Sequence, residues 1–312
     1  MPLCGADAVG GDIDLLREAL ASIMESRGGL GDVQPMRRPR LVSDHSDKFM
    51  VLNRNDQRAA VVSLSPRSQP RKECEAAARA SAARAALGER LGAAVLSPWH
   101  VGLLGGCCFS VTAYAPPISD SRMKRWWQLR RVRGPLLQWL LEATAQTARQ
   151  PTASETQDEF LIPLEAVSRH PGLAVEIRNA ATTAIKALDR GEWRPMLALT
   201  HNDLWLGNIH LVPQRVAADW GFAIIDWLGS RKAGSAIYDL VRLSMSLELS
   251  TQDTKQQIAA HSRALCCQPA QTHHYLLAAL GQLVLNLGNW PEDRFVIVAG
   301  QCHQRLVGGL RT

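Results

Sequence analysis

Within residues 199–211, LTHNDLWLGNIHL, apolar flanks enclose His201, Asp203 and Asn208, three polar side chains that no amphipathic pattern requires. The eight residues HNDLWLGN fit the phosphoryl-transfer loop pattern H-x-D-L-x-x-x-N at every position. Eighteen residues beyond Asn208, the apolar run FAIIDWLG carries Asp226 at its end. Moving a γ-phosphate requires an acceptor hydroxyl held in line and Mg²⁺ to neutralise charge on the phosphate oxygens. Mg²⁺ takes oxygen ligands in near-octahedral geometry, commonly one or two carboxylates with phosphate and water. On this spacing Asp203 orients and deprotonates the hydroxyl, while Asn208 and Asp226 hold the metal. His201 completes the catalytic set and suits bracing the loop through hydrogen bonds more than moving a proton. The competing reading makes Asp203 and Asn208 turn residues and Asp226 a strand-end cap.

The elements that must position these groups fall into two regions. Residues 12–26 read as a helix after a short tail, followed by the basic, Pro-containing linker GDVQPMRRPR. KFMVL and RAAVVSL around the turn NRNDQ give a hairpin, and HVGLL, GG and CCFSVTAYA give a second. Between them the Ala-rich residues 71–91 predict a helix. Pro116 and Pro117 end the last strand. Helices are then predicted over residues 121–150, 164–169, 173–190, 235–249, 252–266, 271–287 and 292–310. Between the loop and Asp226, VPQRVAADWG reads as a hairpin turn. The expected fold is α+β and bilobal: residues 1–40 form a tail, helix and linker, 41–115 a small mixed lobe, and 116–312 a larger, mainly helical lobe. Clefts between such lobes are where ligands sit.

At 312 residues and 46% hydrophobic, the chain can bury a large core. No apolar run reaches the ~18–20 residues of a membrane span, and the acidic start does not resemble a signal peptide. Seven cysteines without a CxxC spacing argue against a disulfide framework or a zinc site and for reduced thiols. The net charge of +6 favours neutral or anionic partners.

HNDLWLGN, IIDW and the downstream GSAIYDLVRL together resemble the aminoglycoside phosphotransferase and choline kinase family, relatives of protein kinases. That family carries H-G-D-x-x-x-x-N followed by I-D-W or I-D-F, then G-x-P-x-x-D-L. The resemblance runs from about residue 41 to the C-terminus and implies a protein-kinase-like fold, a transferase activity, ATP or GTP, and Mg²⁺. It assigns Asp239 to anchoring the catalytic loop's backbone. It also implies that the segment joining the lobes binds the nucleotide base through main-chain groups near Ala113 and Ala115.

The family's third-strand lysine is missing: Ser63 or Ser65 stands in its place. Lys48 on the preceding strand is the candidate substitute for gripping phosphates, with Arg67 and Lys72 as alternatives. Glu75 is the candidate partner glutamate, with Glu73 beside it, although both also suit a solvated helix face. The missing lysine keeps a nucleotide-binding pseudokinase open. A divergent protein kinase is weakened by the short segment of about twelve residues between Asp226 and Asp239.

From residue 227 to 312, eight Lys/Arg stand against five Asp/Glu, which disfavours a polycationic acceptor. A small-molecule, sugar or glycolipid alcohol suits the charge better, and a finer likeness to phosphotransferases of bacterial surface-polysaccharide biosynthesis points the same way. Residues 121–140, SRMKRWWQLRRVRGPLLQWL, combine six basic residues with Trp126, Trp127 and Trp139 and no acid. This pattern fits contact with an anionic membrane surface, or tryptophans packed in the lobe with the cations in water. Nucleic acid is disfavoured because no binding motif accompanies the arginines. The expected location is the cytoplasm, with the inner membrane face as a peripheral contact.

Overall fold

Strand-forming and helix-forming stretches segregate along the chain, and the computed structural model follows that division. It describes residues 7–36, 46–212, 220–288 and 290–311. The N-terminal region comprises α1 (Asp7–Glu25), β1 (Val33–Pro35), β2 (Asp47–Leu52), β3 (Arg58–Leu64), α2 (Lys72–Gly92), β4 (His100–Leu104) and β5 (Cys107–Ala113). The five strands form one antiparallel sheet in the order β1-β2-β3-β5-β4.

Alternation along each strand gives the sheet two different faces. One face packs Phe49, Val51, Ala60, Val62, Leu64, Phe109 and Val111 against Leu16, Leu20 and Met24 of α1. Helix α1 is therefore part of this lobe's core. On the other face Lys48 lies opposite Ser63, and Ser63 opposite Ser110, a polar row across three adjacent strands. The predicted linker contains β1, a short edge strand on which Pro35 is tolerated because its missing N–H faces away from the pairing.

One sequence expectation is overturned. Cys74 at the start of α2 and Cys108 on β5 form a disulfide, although they lie 34 residues apart. The helix packs on the strand and brings the two thiols together, a long-range proximity that local spacing could not reveal. Cys107, Cys266, Cys267 and Cys302 are free thiols; Cys4 lies outside the described residues.

The C-terminal region comprises α3 (Arg122–Thr147), α4 (Ala153–Thr156), a π-helical turn (Gln157–Leu161), α5 (Ile162–Arg169), α6 (Val175–Asp189), β6 (Ala198–Thr200), β7 (Ile209–Leu211), β8 (Phe222–Ile224), β9 (Arg231–Gly234), α7 (Ile237–Ser246), α8 (Thr251–Ala264), α9 (Thr272–Leu285) and α10 (Glu292–Arg311). Strands β7 and β8 pair as the predicted hairpin, while most of its turn lies outside the described residues. Strand β9, unpredicted, pairs with β6.

Beneath the catalytic loop, Trp139, Phe222 and Trp227 meet edge to face in the core. The lobes are stitched together by main chain. Leu96 N–H donates to the Ile224 carbonyl at 3.0 Å, and Ile224 N–H to that of Ala94 at 2.7 Å. Among the described residues no helix is long and apolar enough to cross a membrane.

Candidate active site

The loop begins where β6 ends. Asp239, in the first turn of α7, is buried, and its two carboxylate oxygens accept the backbone N–H groups of His201 at 2.6 Å and Asn202 at 2.9 Å. Burial pushes the Asp239 carboxyl up to about 7 against these hydrogen bonds. Asn202 adopts the left-handed conformation, φ 65°, and its side-chain amide donates to the Gly229 carbonyl at 2.9 Å. Glycine and asparagine are the residues that enter this region at low cost, so the asparagine fits where the family pattern has glycine.

His201 is buried with its ring 4.7 Å from that of Trp227. Because a carbonyl can only accept, its Nε2–H donates to Ile225 at 2.9 Å, leaving Nδ1 to receive the Asp203 N–H at 3.3 Å. Burial holds the imidazole below its ordinary pKa, so the ring is neutral and locked in this tautomer. The geometry makes His201 a brace between the loop and the strand leading to Asp226.

Asp203 is held by Asn208, whose Nδ2 donates to the Asp203 carbonyl at 2.8 Å and to its carboxylate at 3.1 Å. Since the Asn208 nitrogen is used, its amide oxygen is the atom available to a metal. Asp226 sits at the C-terminal side of β8, exposed and left-handed at φ 61°. Burial raises the Asp203 pKa, Arg242 on α7 opposes this from 3.7 Å, and the charge of Asp226 raises it further. The Asp226 carboxylate and Asn208 amide oxygen are hard oxygen donors, the kind Mg²⁺ prefers. A cation there would also relieve the repulsion between Asp203 and Asp226, so the donor set fits Mg²⁺.

The opposing wall is wired differently. Lys48 is exposed on β2, on the polar face that it shares with Ser63 and Ser110. Its charge reaches His210 on β7, whose pKa is lowered chiefly by burial and additionally by Lys48. Of the two candidate glutamates, Glu75 is exposed and Glu73 turns inward. Glu73 accepts the hydroxyls of Ser46 at 2.5 Å and Ser110 at 2.9 Å, and its own N–H donates to Ser65 Oγ at 2.9 Å. At the junction of the lobes the Ala115 carbonyl accepts from His210 Nδ1 at 2.7 Å, which leaves the Ala115 N–H as the group a base edge could use. Ala113 ends β5, paired with Ala60.

The sequence profile of the Phosphotransferase enzyme family (APH) matches residues 39–277. The chain belongs to this family. It is a phosphotransferase, as the loop and the IIDW run indicated. No curated protein sequence matches it. Among solved structures the phosphotransferase is similar to choline kinase LicA from Streptococcus pneumoniae, with 15% identity, 95% of this chain and 98% of that chain covered, and a TM-score of 0.55. It is also similar to a thermostable mutant of aminoglycoside phosphotransferase APH(4)-Ia in a ternary complex with ADP and hygromycin B, with 12% identity, coverages of 93% and 98%, and a TM-score of 0.54. A choline/ethanolamine kinase family protein from Mesorhizobium loti gives 18% identity, coverages of 96% and 95%, and a TM-score of 0.51. At these identities the likeness establishes the protein-kinase-like fold.

Three features of the phosphotransferase's cleft were not singled out from its sequence. Arg242 lies one helical turn beyond Asp239, on the same face of α7, so its approach to the loop follows from i, i+3 geometry. His210 joins the lobes from the strand after the loop. Trp205, 43% exposed, lays its ring over Gly207, where a Cβ would come within 2.3 Å of it, and helps hold Asp203 ionised.

Proposed function

We propose that the protein moves the γ-phosphate of ATP or GTP to a hydroxyl of a small-molecule, sugar or glycolipid acceptor, with Mg²⁺ as cofactor. The observation that carries this reading is the convergence of Asp203, Asn208 and Asp226 on a loop whose backbone Asp239 anchors. Mg²⁺, when bound, supplies neutralisation of the phosphate oxygens. Asn208 and Asp226 hold it through oxygen atoms. Asp203 takes the proton of the acceptor hydroxyl as its oxygen bonds to the γ-phosphorus and the bond to the β-phosphate oxygen breaks, releasing the nucleoside diphosphate. Lys48 grips the phosphates in place of the absent third-strand lysine, Glu73 fixes the sheet beneath it, and main chain at Ala113 and Ala115 meets the base. In this division residues 41–115 with α1 bind nucleotide, and residues 116–312 carry the loop and acceptor site.

Arg242 beside the base supports a neutral or anionic acceptor, because an ammonium group there would meet a guanidinium. Exposed Trp126 and Trp127 among the α3 cations support a cytoplasmic protein that touches an anionic membrane surface, where a glycolipid would be presented. A nucleotide-binding pseudokinase is the second reading, favoured by Ser63 at the lysine position. Calorimetric titration with ATP and with GTP, with and without Mg²⁺, followed by an acceptor-free hydrolysis assay, separates the two. Metal-dependent binding with slow hydrolysis is expected. Tight binding with no hydrolysis, and no transfer to any alcohol, favours the scaffold.

A further inference from the structure

Helix α2 reaches both sides of the nucleotide cleft. In its first turn Glu73 accepts the hydroxyls of Ser46 and Ser110, and Cys74 is bonded to Cys108 on β5. Less than two turns further on, Arg79 donates to the carbonyl of Ser230, in the segment that follows Asp226. Any shift of this end of α2 would therefore disturb the wall that carries Lys48 and the floor that carries Asp226 together.

The helix is built to pivot. Its fully buried side chains are alanines, Ala77, Ala80 and Ala83, until Leu87 and Leu91 enter the core at the far end. A methyl group buries little area, so the leading turns are only thinly glued to the fold. Gly88 takes φ 67° and ψ −170°, a conformation that glycine enters freely, and breaks the helix there. Gln146 of α3 caps the break, its Nε2 donating to the carbonyls of Leu87 at 2.8 Å and Ala86 at 3.4 Å. Residues 72–87 thus form a lever with its pivot at Gly88 and a covalent lock at its free end. Cys107 cannot relieve that lock, because strand alternation turns it to the opposite face, where it packs against the α1 core.

We propose that Cys74–Cys108 is a redox modification site for a dithiol, and that its reduction lets residues 72–87 swing about Gly88 and loosens the hold on nucleotide phosphates. The second clause rests on the phosphotransfer reading above. Cys108 is 1% exposed and Cys74 half-buried, so the incoming thiolate attacks Cys74. As it bonds to the Cys74 Sγ, the S–S bond breaks, and Cys108 leaves with the electron pair and takes a proton. The second thiolate of the dithiol then displaces Cys74, which takes a proton in turn. The dithiol ends as a disulfide, and the protein has gained two electrons and two protons. A monothiol serves less well, because Cys108, held beside the mixed disulfide, closes on it again. A static staple would give stability without touching affinity. The place of this bond, at the Glu73 end of the lever and opposite its pivot, makes it a control point.

The test uses the full chain before and after dithiothreitol, with reoxidation by glutathione disulfide. Denatured, the unreduced chain should show two thiols fewer than the reduced one. Reduction should speed amide exchange in residues 76–87 and not in α3. It should also weaken Mg²⁺-ATP binding roughly tenfold or more, the worth of one charged hydrogen bond, and leave adenosine binding unchanged. Reoxidation should reverse each effect. Cys74→Ser should match the reduced wild type and ignore dithiothreitol, whereas Cys107→Ser should respond as the wild type does. The proposal is overturned if the thiol counts agree, or if reduction lowers only the melting temperature and leaves exchange and affinity as they were. It is overturned equally if ATP and adenosine weaken alike, or if Cys74→Ser still responds to dithiothreitol. A chain that binds no Mg²⁺-ATP in either state would instead sink the phosphotransfer reading, and amide exchange alone then decides. Faster exchange confined to residues 76–87 keeps the redox lever, and unchanged exchange removes it.

Discussion

The floor of the cleft holds its catalytic loop by redundant hydrogen bonds, whereas the opposite wall holds its glutamate through serine hydroxyls and leaves its lysine unpinned in solvent. On the floor, Asp239 fixes two consecutive N–H groups, His201 ties the loop to Ile225 just beyond β8, and Asn208 ties its end back to Asp203. On the wall, Glu73 is engaged by Ser46 and Ser110, and Lys48 stands one strand away from the position the family pattern reserves for it. Aligning a hydroxyl with a phosphorus atom demands sub-ångström placement. Holding phosphate charge demands only a cation within reach, which a flexible lysine on a neighbouring strand satisfies. Rigid placement is kept where geometry is critical, and substitution is tolerated where charge suffices.

That contrast fails first if the floor is not catalytic. Asp203→Asn keeps shape but is a poor proton acceptor, so turnover should fall by ~10² to 10⁴ with nucleotide affinity near normal, measured by transfer to an identified alcohol under conditions where chemistry limits the rate. Equal rates in the variant and the wild type would remove Asp203 from the mechanism. For the wall, Lys48→Ala should weaken triphosphate binding roughly 10- to 100-fold, the loss of one charged hydrogen bond, while adenosine binding stays unchanged. Equal losses for both ligands would place the phosphate grip elsewhere.

The smallest effect is expected at Asp239, and it sharpens the account of the floor. Asp239→Asn removes one acceptor for two buried N–H groups and should cost on the order of 1 kcal/mol. The wild-type carboxyl is raised from 3.8 to about 7 on folding. The folded state therefore binds its proton more tightly, and that stabilisation is complete below about pH 4 and lost as pH rises towards 7. Urea titrations at pH 5 and pH 8 should show the wild type losing stability over this interval relative to Asp239→Asn. A constant difference between the two proteins would show that Asp239 does not titrate as its burial requires.

The floor was legible in the sequence because its chemistry is local: His201, Asp203 and Asn208 share one loop, and Asp226 ends the next strand. The helical lobe was legible for a related reason, since long Ala- and Leu-rich segments carry their own boundaries. The wall was not, because its partners meet across strands. Glu73 and Glu75 are indistinguishable on an Ala-rich helix with little apolar periodicity, and only the docking of α2 on β5 turns Glu73 inward. The same docking creates the Cys74–Cys108 bond. Strand β1 was hidden by Pro35, and β9 by a length of four residues that carries no alternation. Of the α3 tryptophans, Trp139 went to the core and Trp126 and Trp127 to the surface, a division set by which helix face meets α2 and β6.

The central claim is that Asn208 and Asp226 hold Mg²⁺ for the nucleotide while Asp203 acts only on the acceptor. Calorimetric titration of Mg²⁺-ATP into the wild type, Asp203→Asn and Asp226→Ala tests it most directly. The account predicts matching affinities for the first two, and for a folded Asp226→Ala the loss of the Mg²⁺-dependent part of binding. Unchanged Mg²⁺-ATP affinity in folded Asp226→Ala would contradict it.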